Sequence, residues 1–531
     1  MNRSNGSPFD RSITADSGSA SGSVAASVPG SASDFLQLNT AEAPKGGMAD
    51  WLARQIRRAV AEGLLPVGSR LPATRVLAAE LGVSRGVVTE AYRRLTEDGH
   101  VAGRGRGGTV VVAVPLRRPT GLGARSIGTG STGTGSTGTG STGMGSPDGA
   151  SPGRALFSDP DATDVFDALR AAPARIDLSP GLPDLAAFPR AAWLRAERSV
   201  LADLVPSDFG YGDPRGTPAL RRAVARWLAR NRGIAADPDE VLIVAGTAQA
   251  LGLLATLLHA EGVADVAIED PSSLGLRQHL HNSGLRTPPV RVDARGIRVD
   301  ELRATGAPAV LLTPAHQFPT GVVLDGVRRR ELADWTRDGG LIIEDDYDAE
   351  HRYDRPPVPA LRSTLADHVC YAGSVSKLLA PALRVGWLLA PRRHLGALAD
   401  AKRFADLGNA ALPQLVLAHL MESGELERHL RFLRKRHRVR RDTMIEAIAA
   451  HLPGAVVHGA AAGLHLMVTF EDGTVGDDMA LATAALEHGV KVQPLSWHTQ
   501  RPYGPGLVLG YAASTPTDIA EGVGILGGLV R

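Results

Sequence analysis

Apolar residues first acquire a regular period at Trp51. Before that, residues 1–44 are mostly Ser, Gly, Ala, Asn and Asp, too poor in large apolar groups to offset the entropy of ordering, and are expected to form a disordered tail. Trp51, Leu52, Ile56 and Val60 then recur at helical spacing. A Pro/Gly connector, Leu64 to Pro72, leads into a short helix carrying Val76, Leu77 and Leu81, with Thr74 placed as its cap. Gly82-Val83 makes a turn, and Ser84 caps a longer helix through Val87, Val88, Tyr92 and Leu95. Two short apolar strands around a Gly/Arg tip follow, from His100 to Val111. Helix, glycine turn, capped helix and wing is a winged helix-turn-helix pattern, assigned to residues 45–115.

Residues 116–160 lose all periodicity. They are built on Gly-Ser-Thr-Gly-Thr repeats with no apolar face, which predicts a flexible linker with a span of roughly 35 Å. From residue 161 to 531 the pattern changes again. Continuous apolar runs, Val241–Val244, Val266–Ile268, Ala309–Leu312, Leu341–Ile343 and Val369–Tyr371, alternate with helical segments. Such runs predict strands buried on both faces, hence an α/β domain with a mainly parallel central sheet.

Composition changes this picture little. The chain has 531 residues, 43% hydrophobic, enough for two or more domains, and a net charge of only +2. The single cysteine, Cys370, excludes an internal disulfide framework and a multi-cysteine metal site, and sits in an apolar run as a small buried hydrophobe. No metal site is expected. No run approaches the roughly 18 apolar residues of a membrane span, and no leader pattern opens the chain, so no membrane partner and a cytoplasmic location are expected.

Chemistry concentrates in Gly373-Ser374-Val375-Ser376-Lys377, with Arg384 seven residues on. Pyridoxal phosphate (PLP) needs an amine for its aldehyde, and hydroxyls with a guanidinium for its phosphate. Upstream, the strand Leu341–Ile343 ends in Glu344-Asp345-Asp346-Tyr347-Asp348, where a carboxylate could keep the pyridine nitrogen protonated. Spacing alone leaves Asp345, Asp346 and Asp348 in competition for that role. Gly246-Thr247-Ala248 follows a strand and opens an apolar helix, a second phosphate-binding arrangement.

By these residues the C-terminal two thirds resembles the fold-type I, PLP-dependent aminotransferases. The N-terminal module resembles GntR-type readers through Gly68-Ser69-Arg70-Leu71-Pro72, Leu81-Gly82-Val83-Ser84-Arg85 and Ala91-Tyr92-Arg93-Arg94-Leu95. The joined order resembles the MocR-type PLP-binding regulators, also through Tyr211-Gly212-Asp213-Pro214-Arg215-Gly216, Glu269-Asp270-Pro271 and Thr313-Pro314-Ala315-His316-Gln317-Phe318-Pro319-Thr320-Gly321. The resemblance implies a homodimer, a double-stranded DNA operator, and PLP or a small amine as effector. It implies that Lys377 forms the cofactor's aldimine, that Asp345 partners the ring nitrogen and Tyr347 the ring hydroxyl. Ser374, Ser376, Arg384, Thr247 and Ala248 would cradle the phosphate, with Tyr211 reaching into the partner subunit's site. Arg75, Ser84, Arg85 and Thr89 would face DNA, followed by Arg104 and Arg106 on the wing, while Arg93 and Arg94 read as a solvated helix face.

Three departures bear on activity. Ser273 stands where the resemblance predicts an aromatic ring over the cofactor. Gly275 and Val508 stand where related proteins hold arginines for a ligand carboxylate; Arg501 lies nearby. An isopropyl group cannot pair with a carboxylate. The sequence therefore predicts an aminotransferase-like domain used for sensing, with at most residual transaminase activity, against the alternative of an aminotransferase with a DNA-binding extension.

Overall fold

The computed structural model describes residues 38–530 apart from residues 39, 45–46, 62–63, 98–99, 104–107, 113–164, 354–357 and 472–473. The expected tail, linker, and wing-tip arginines Arg104 and Arg106 lie outside the described residues, Leu38 and a few residues before Lys45 excepted. The described chain forms two compact units. One holds the residues before Thr96 together with Gly103–Val111; the other holds Thr96–Ala102 and the chain from Val112 onward.

In the first unit α1 (Met48–Ala61) buries Trp51, Leu52, Ile56 and Val60, the residues picked out by the helical period. Next, α2 (Thr74–Leu81) ends at Gly82, whose φ of 64° makes the left-handed cap that glycine adopts without strain. The position of Thr74 differs from the expected cap. Ala73 occupies the cap without a side-chain bond, because the extended connector, held by Leu71 N–H on the Thr109 carbonyl, ends one residue earlier and Thr74 is already helical. Val76 accordingly faces solvent while Leu77 and Leu81 are buried. Ser84 does cap α3 (Arg85–Glu97), its Oγ accepting from Val87 N at 3.4 Å. The Tyr92 hydroxyl ties α3 to the connector through the Pro72 carbonyl at 2.9 Å. β1 (Val101–Gly103) and β2 (Thr109–Val111) form the wing.

The second unit is a three-layer α/β body. In chain order its strands are β3 (Ile176–Asp177), β4 (Val241–Val244), β5 (Val266–Asp270), β6 (Pro289–Asp293), β7 (Gly296–Ile297), β8 (Ala309–Leu312), β9 (Leu341–Asp346), β10 (Val369–Ser374), β11 (Gly386–Leu389), β12 (Ala455–His458), β13 (His465–Phe470), β14 (Val490–Lys491), β15 (Gln493–Pro494) and β16 (Gly506–Gly510). The central sheet runs β4-β11-β10-β9-β8-β5-β6-β7, parallel from β10 through β6, with β11 and β7 antiparallel to their neighbours. All five runs read as strands from the sequence lie in it.

Alternation along β9 decides where each acid goes. Ile343 packs with Leu251, Leu254 and Leu258 of helix Thr247–Ala260 on one face. Ile342 packs with Leu332 and Trp335 on the other. Each such buried side chain contributes about 1.5–3 kcal/mol. Asp345 shares the parity of Ile343, and Glu344 and Asp346 that of Ile342. A second, antiparallel sheet, β12-β13-β16-β15, packs with helices Glu425–His451 and Pro516–Leu529. The short pair β3–β14 sets Asp177 opposite Lys491.

Candidate functional site

The carboxyl ends of parallel β5, β8, β9 and β10 open on one cavity of about 540 Å³. This is where an open α/β sheet leaves its crevice. Lys377, Asp345, Tyr347, Ser374, Ser376, Arg384, Thr247 and Ala248 all line it. Tyr211 does not: it lies 96% exposed on the surface.

At one end, helix Thr247–Ala260 begins behind Gly246, whose φ is 86°. A Cβ built there would sit 3.4 Å from the Arg384 Nη1, so the guanidinium lies close over this glycine. First-turn N–H groups have no partner within their own helix, and with Arg384, Ser374 and Ser376 beside them they make a dianion cradle. Arg384 itself holds a left-handed backbone, φ 51°, a conformation that non-glycine residues keep only where surroundings enforce it.

At the other end, Lys377 Nζ donates to the Gly181 carbonyl. Gly181 has φ 78°, and a Cβ there would stand 3.3 Å from Nζ. Burial lowers the Lys377 pKa, against the pull of Asp345 and Asp348. Asp345 accepts from Thr247 Oγ1 at 3.3 Å. Burial, reinforced by the charge of Asp346, pushes its carboxyl up to about 7. Tyr347 meets His316 Nδ1 at 3.0 Å, and burial, with the charge of Asp348, raises its phenol well above the ordinary value.

The competition among the three aspartates ends in this geometry. Asp346 takes Arg232 and the Tyr371 hydroxyl, each at 2.5 Å, on the opposite face of β9; the Arg232 and Asp346 side chains are 0% and 1% exposed. Losing one partner of such a buried pair costs about 3–5 kcal/mol, which commits Asp346 to the fold. Asp348 pairs with His316 Nδ1 at 2.9 Å. Only Asp345 of the three lines the cavity.

Of the remaining walls, Phe318 belongs to the Thr313–Gly321 phrase singled out by the sequence. His465, His498, Gln493, Ser179 and Gly181 also line the cavity. These five arrive from turns and from the second sheet, and no local motif marks them. Phe318 stands edge-on to Tyr347 and His498, ring centroids 6.2 and 5.1 Å apart. Ser273 lines the cavity and caps helix Leu274–Asn282 through Leu276 N at 3.4 Å. Burial pushes His465 and His498 down to about 3, so both rings are neutral at neutral pH. Val508 is fully buried against Met467, Leu495 and Phe318. Arg501 is spent elsewhere, on Glu301 at 3.1 Å and the Pro289 carbonyl at 2.7 Å. Lys491 and Arg170 also line the cavity, but Lys491 stands 3.6 Å from Asp177 and Arg170 pairs with Asp167.

In the first unit Arg75, Ser84, Arg85 and Thr89 are all exposed, at the start of α2 and along the first turns of α3. Arg93 is bound to Glu90, and Arg94 to Glu90 and Asp50.

Residues 175–524 match the family model for aminotransferase class I and II, and residues 49–111 match the bacterial regulatory proteins of the gntR family. The probable rhizopine catabolism regulatory protein MocR of Rhizobium meliloti is 30% identical over 489 residues, 90% of this chain and 92% of that one. The chain belongs to the MocR-type regulators. The pyridoxine biosynthesis regulator PdxR of Corynebacterium glutamicum is likewise 30% identical, over 84% of this MocR-type chain and 87% of its own length. Among solved structures, the kynurenine aminotransferase of Pyrococcus horikoshii matches with a TM-score of 0.63 and 25% identity, over 69% of this chain and 93% of the enzyme. The MocR-type chain is thus an HTH-type transcriptional regulator carrying an aminotransferase-like domain of the fold that implies PLP. No described helix is long and apolar enough to cross a membrane.

Proposed function

We propose that this regulator binds PLP in the Lys377 cavity and that occupancy of the cavity sets the DNA affinity of α3. The observation that carries this is a cavity with a PLP donor set beside a wall whose cations, among the described residues, already face carboxylates. Lys377, with its lowered pKa, supplies a neutral amine more readily than an ordinary lysine. Asp345 meets the ring nitrogen, Tyr347 the ring hydroxyl, and Arg384, Ser374, Ser376, Thr247 and Ala248 the phosphate. When bound, PLP supplies an aldehyde that condenses with amines and a ring that withdraws electrons.

The same wall argues against transamination. A substrate carboxylate would meet Phe318, with Val508 packed behind it, and two neutral histidine rings, and the two cations nearby already face Asp177 and Asp167. The effector is PLP itself, or an amine recognised without a carboxylate–arginine pair. A homodimer fits the exposed apolar side chains of Leu194, Val205, Phe209, Tyr211 and Phe404, which a single chain leaves uncovered. Tyr211 would then serve the partner's phosphate site. A regulator of this kind acts on double-stranded DNA in the bacterial cytoplasm.

The test is turnover. PLP-loaded protein incubated with a panel of amino acids and 2-oxo acids is expected to give no sustained multiple-turnover conversion. Steady conversion of any pair would return the domain to the working aminotransferases.

A further inference from the structure

Helix Glu425–His451 contains no Asp or Glu between Arg428 and Arg441. Its cations divide by direction. Arg436 and Arg440 turn inward and share Asp184 at 2.8 and 3.0 Å. Arg434 and Arg441 lie half-buried and donate to the carbonyls of Glu350 and Ala460. Arg428, Arg431, Lys435 and Arg438 are exposed. Their spacing of three, four and three residues puts them on one face, in a stripe about 15 Å long.

Elsewhere in this unit several exposed arginines are matched by acids, Arg286 by Asp265, Arg291 by Glu301 and Arg303 by Asp338, each at 2.6 Å, while isolated ones such as Arg198 and Arg222 are not matched among the described residues; the stripe differs in setting its cations side by side. On the stripe, Arg428 comes only within 3.8 Å of Glu425, a carboxylate that Arg195 holds at 3.2 Å. Among the described residues, no carboxylate lies within ion-pair distance of Arg431, Lys435 or Arg438; Arg438 donates to the Tyr353 carbonyl. Like charges three and four residues apart on a helix repel. A face that keeps Arg431, Lys435 and Arg438 without a compensating acid among the described residues, beside a loosely paired Arg428, is suited to a polyanion. Over 15 Å of axis one strand of duplex DNA presents about four phosphates.

We propose that this stripe is a second DNA contact, which grips the phosphate backbone without regard to sequence while α3 reads bases. The proposal rests on the reading of the first unit as a DNA reader. Phosphate contacts of this kind position a protein and raise affinity, and they announce themselves in the salt dependence. Phe432 and Val439, part-exposed beside the stripe, would suit an acidic protein surface instead, and the test separates the two.

The experiment titrates the full chain with a long random-sequence duplex at several salt concentrations. The unmodified chain is compared with a variant carrying Arg431→Gln, Lys435→Gln and Arg438→Gln. Each lost phosphate contact reduces the slope of log affinity against log salt by about 0.9, so the triple variant is expected to lose about 2–3 in slope. The Arg431→Gln, Lys435→Gln pair, which leaves the Tyr353 contact intact, should lose about 2, and Arg431→Lys should lose nothing. Unchanged slopes in both multiple variants overturn the proposal, as they would if the stripe served an acidic protein. Failure of the unmodified chain to bind duplex DNA at all would instead sink the reader assignment beneath it.

Discussion

Lys377→Ala abolishes covalent attachment of PLP: borohydride reduction of the reconstituted variant leaves no label on the protein, and the visible band of the attached cofactor is gone. Lys377 Nζ is the amine at the ring end of the cavity, hydrogen-bonded to Gly181 and opposite Asp345 in charge. Removing it deletes a desolvated amine and no core side chain, so the fold persists and the phosphate cradle at Arg384 is left whole. Non-covalent PLP is still held, more weakly. The informative control is Lys491→Ala, because Lys491 is the other lysine lining the cavity. It faces Asp177 at 3.6 Å, and its removal should leave the label in place. A label that survived in Lys377→Ala and vanished in Lys491→Ala would show that the wrong amine had been chosen.

Arg85→Ala weakens specific DNA binding by roughly 1–3 kcal/mol, about 5- to 150-fold, with relaxed discrimination at one base pair. Arg85 opens α3, is exposed, and follows the Ser84 cap. Alanine is an excellent helix former, so the substitution removes a cation and leaves the helix. Arg93→Ala on the same helix is the internal comparison. Arg93 is spent on Glu90 at 2.5–2.7 Å, so its loss should change DNA affinity far less. Protection assays at low and physiological salt distinguish base reading from phosphate contact, since the latter weakens all sequences alike. Equal affinities for Arg85→Ala and the unmodified chain at both salts would remove Arg85 from the interface.

Much of this architecture is legible in the sequence because its signals are local. Continuous apolar runs mark β4, β5, β8, β9 and β10, and the reader's glycine turn and serine cap stand within a few residues of each other. The Lys377 segment and the acidic end of β9 each carry their chemistry in one stretch. What the sequence could not place is what the fold brings from far away. Asp345 and Asp346 are adjacent and chemically equal; the difference between them is one residue of strand parity and the arrival of Arg232 from 114 positions upstream. Gly181, His465 and His498 belong to other elements, and nothing near them signals a cavity. In the β12-β13-β16-β15 sheet the two-residue β15 is too short to stand out, and β12 is only partly buried. Thr74 shows the complementary limit. A threonine before an apolar period reads as a cap, yet the hydrogen bond from Leu71 to Thr109 on β2 fixes where the chain turns.

The account stands on one coupling, between the Lys377 cavity and α3. A coupling free energy is reciprocal: if PLP changes DNA affinity, DNA changes PLP affinity by the same factor. The direct measurement is affinity and footprint on the DNA upstream of the chain's own coding region, for ligand-free and PLP-loaded protein at one fixed salt concentration. Different footprints are expected, with affinities that differ by about 5- to 150-fold, the usual range for such coupling. Equal affinities with equal footprints would contradict it and leave PLP as a passenger in the cavity.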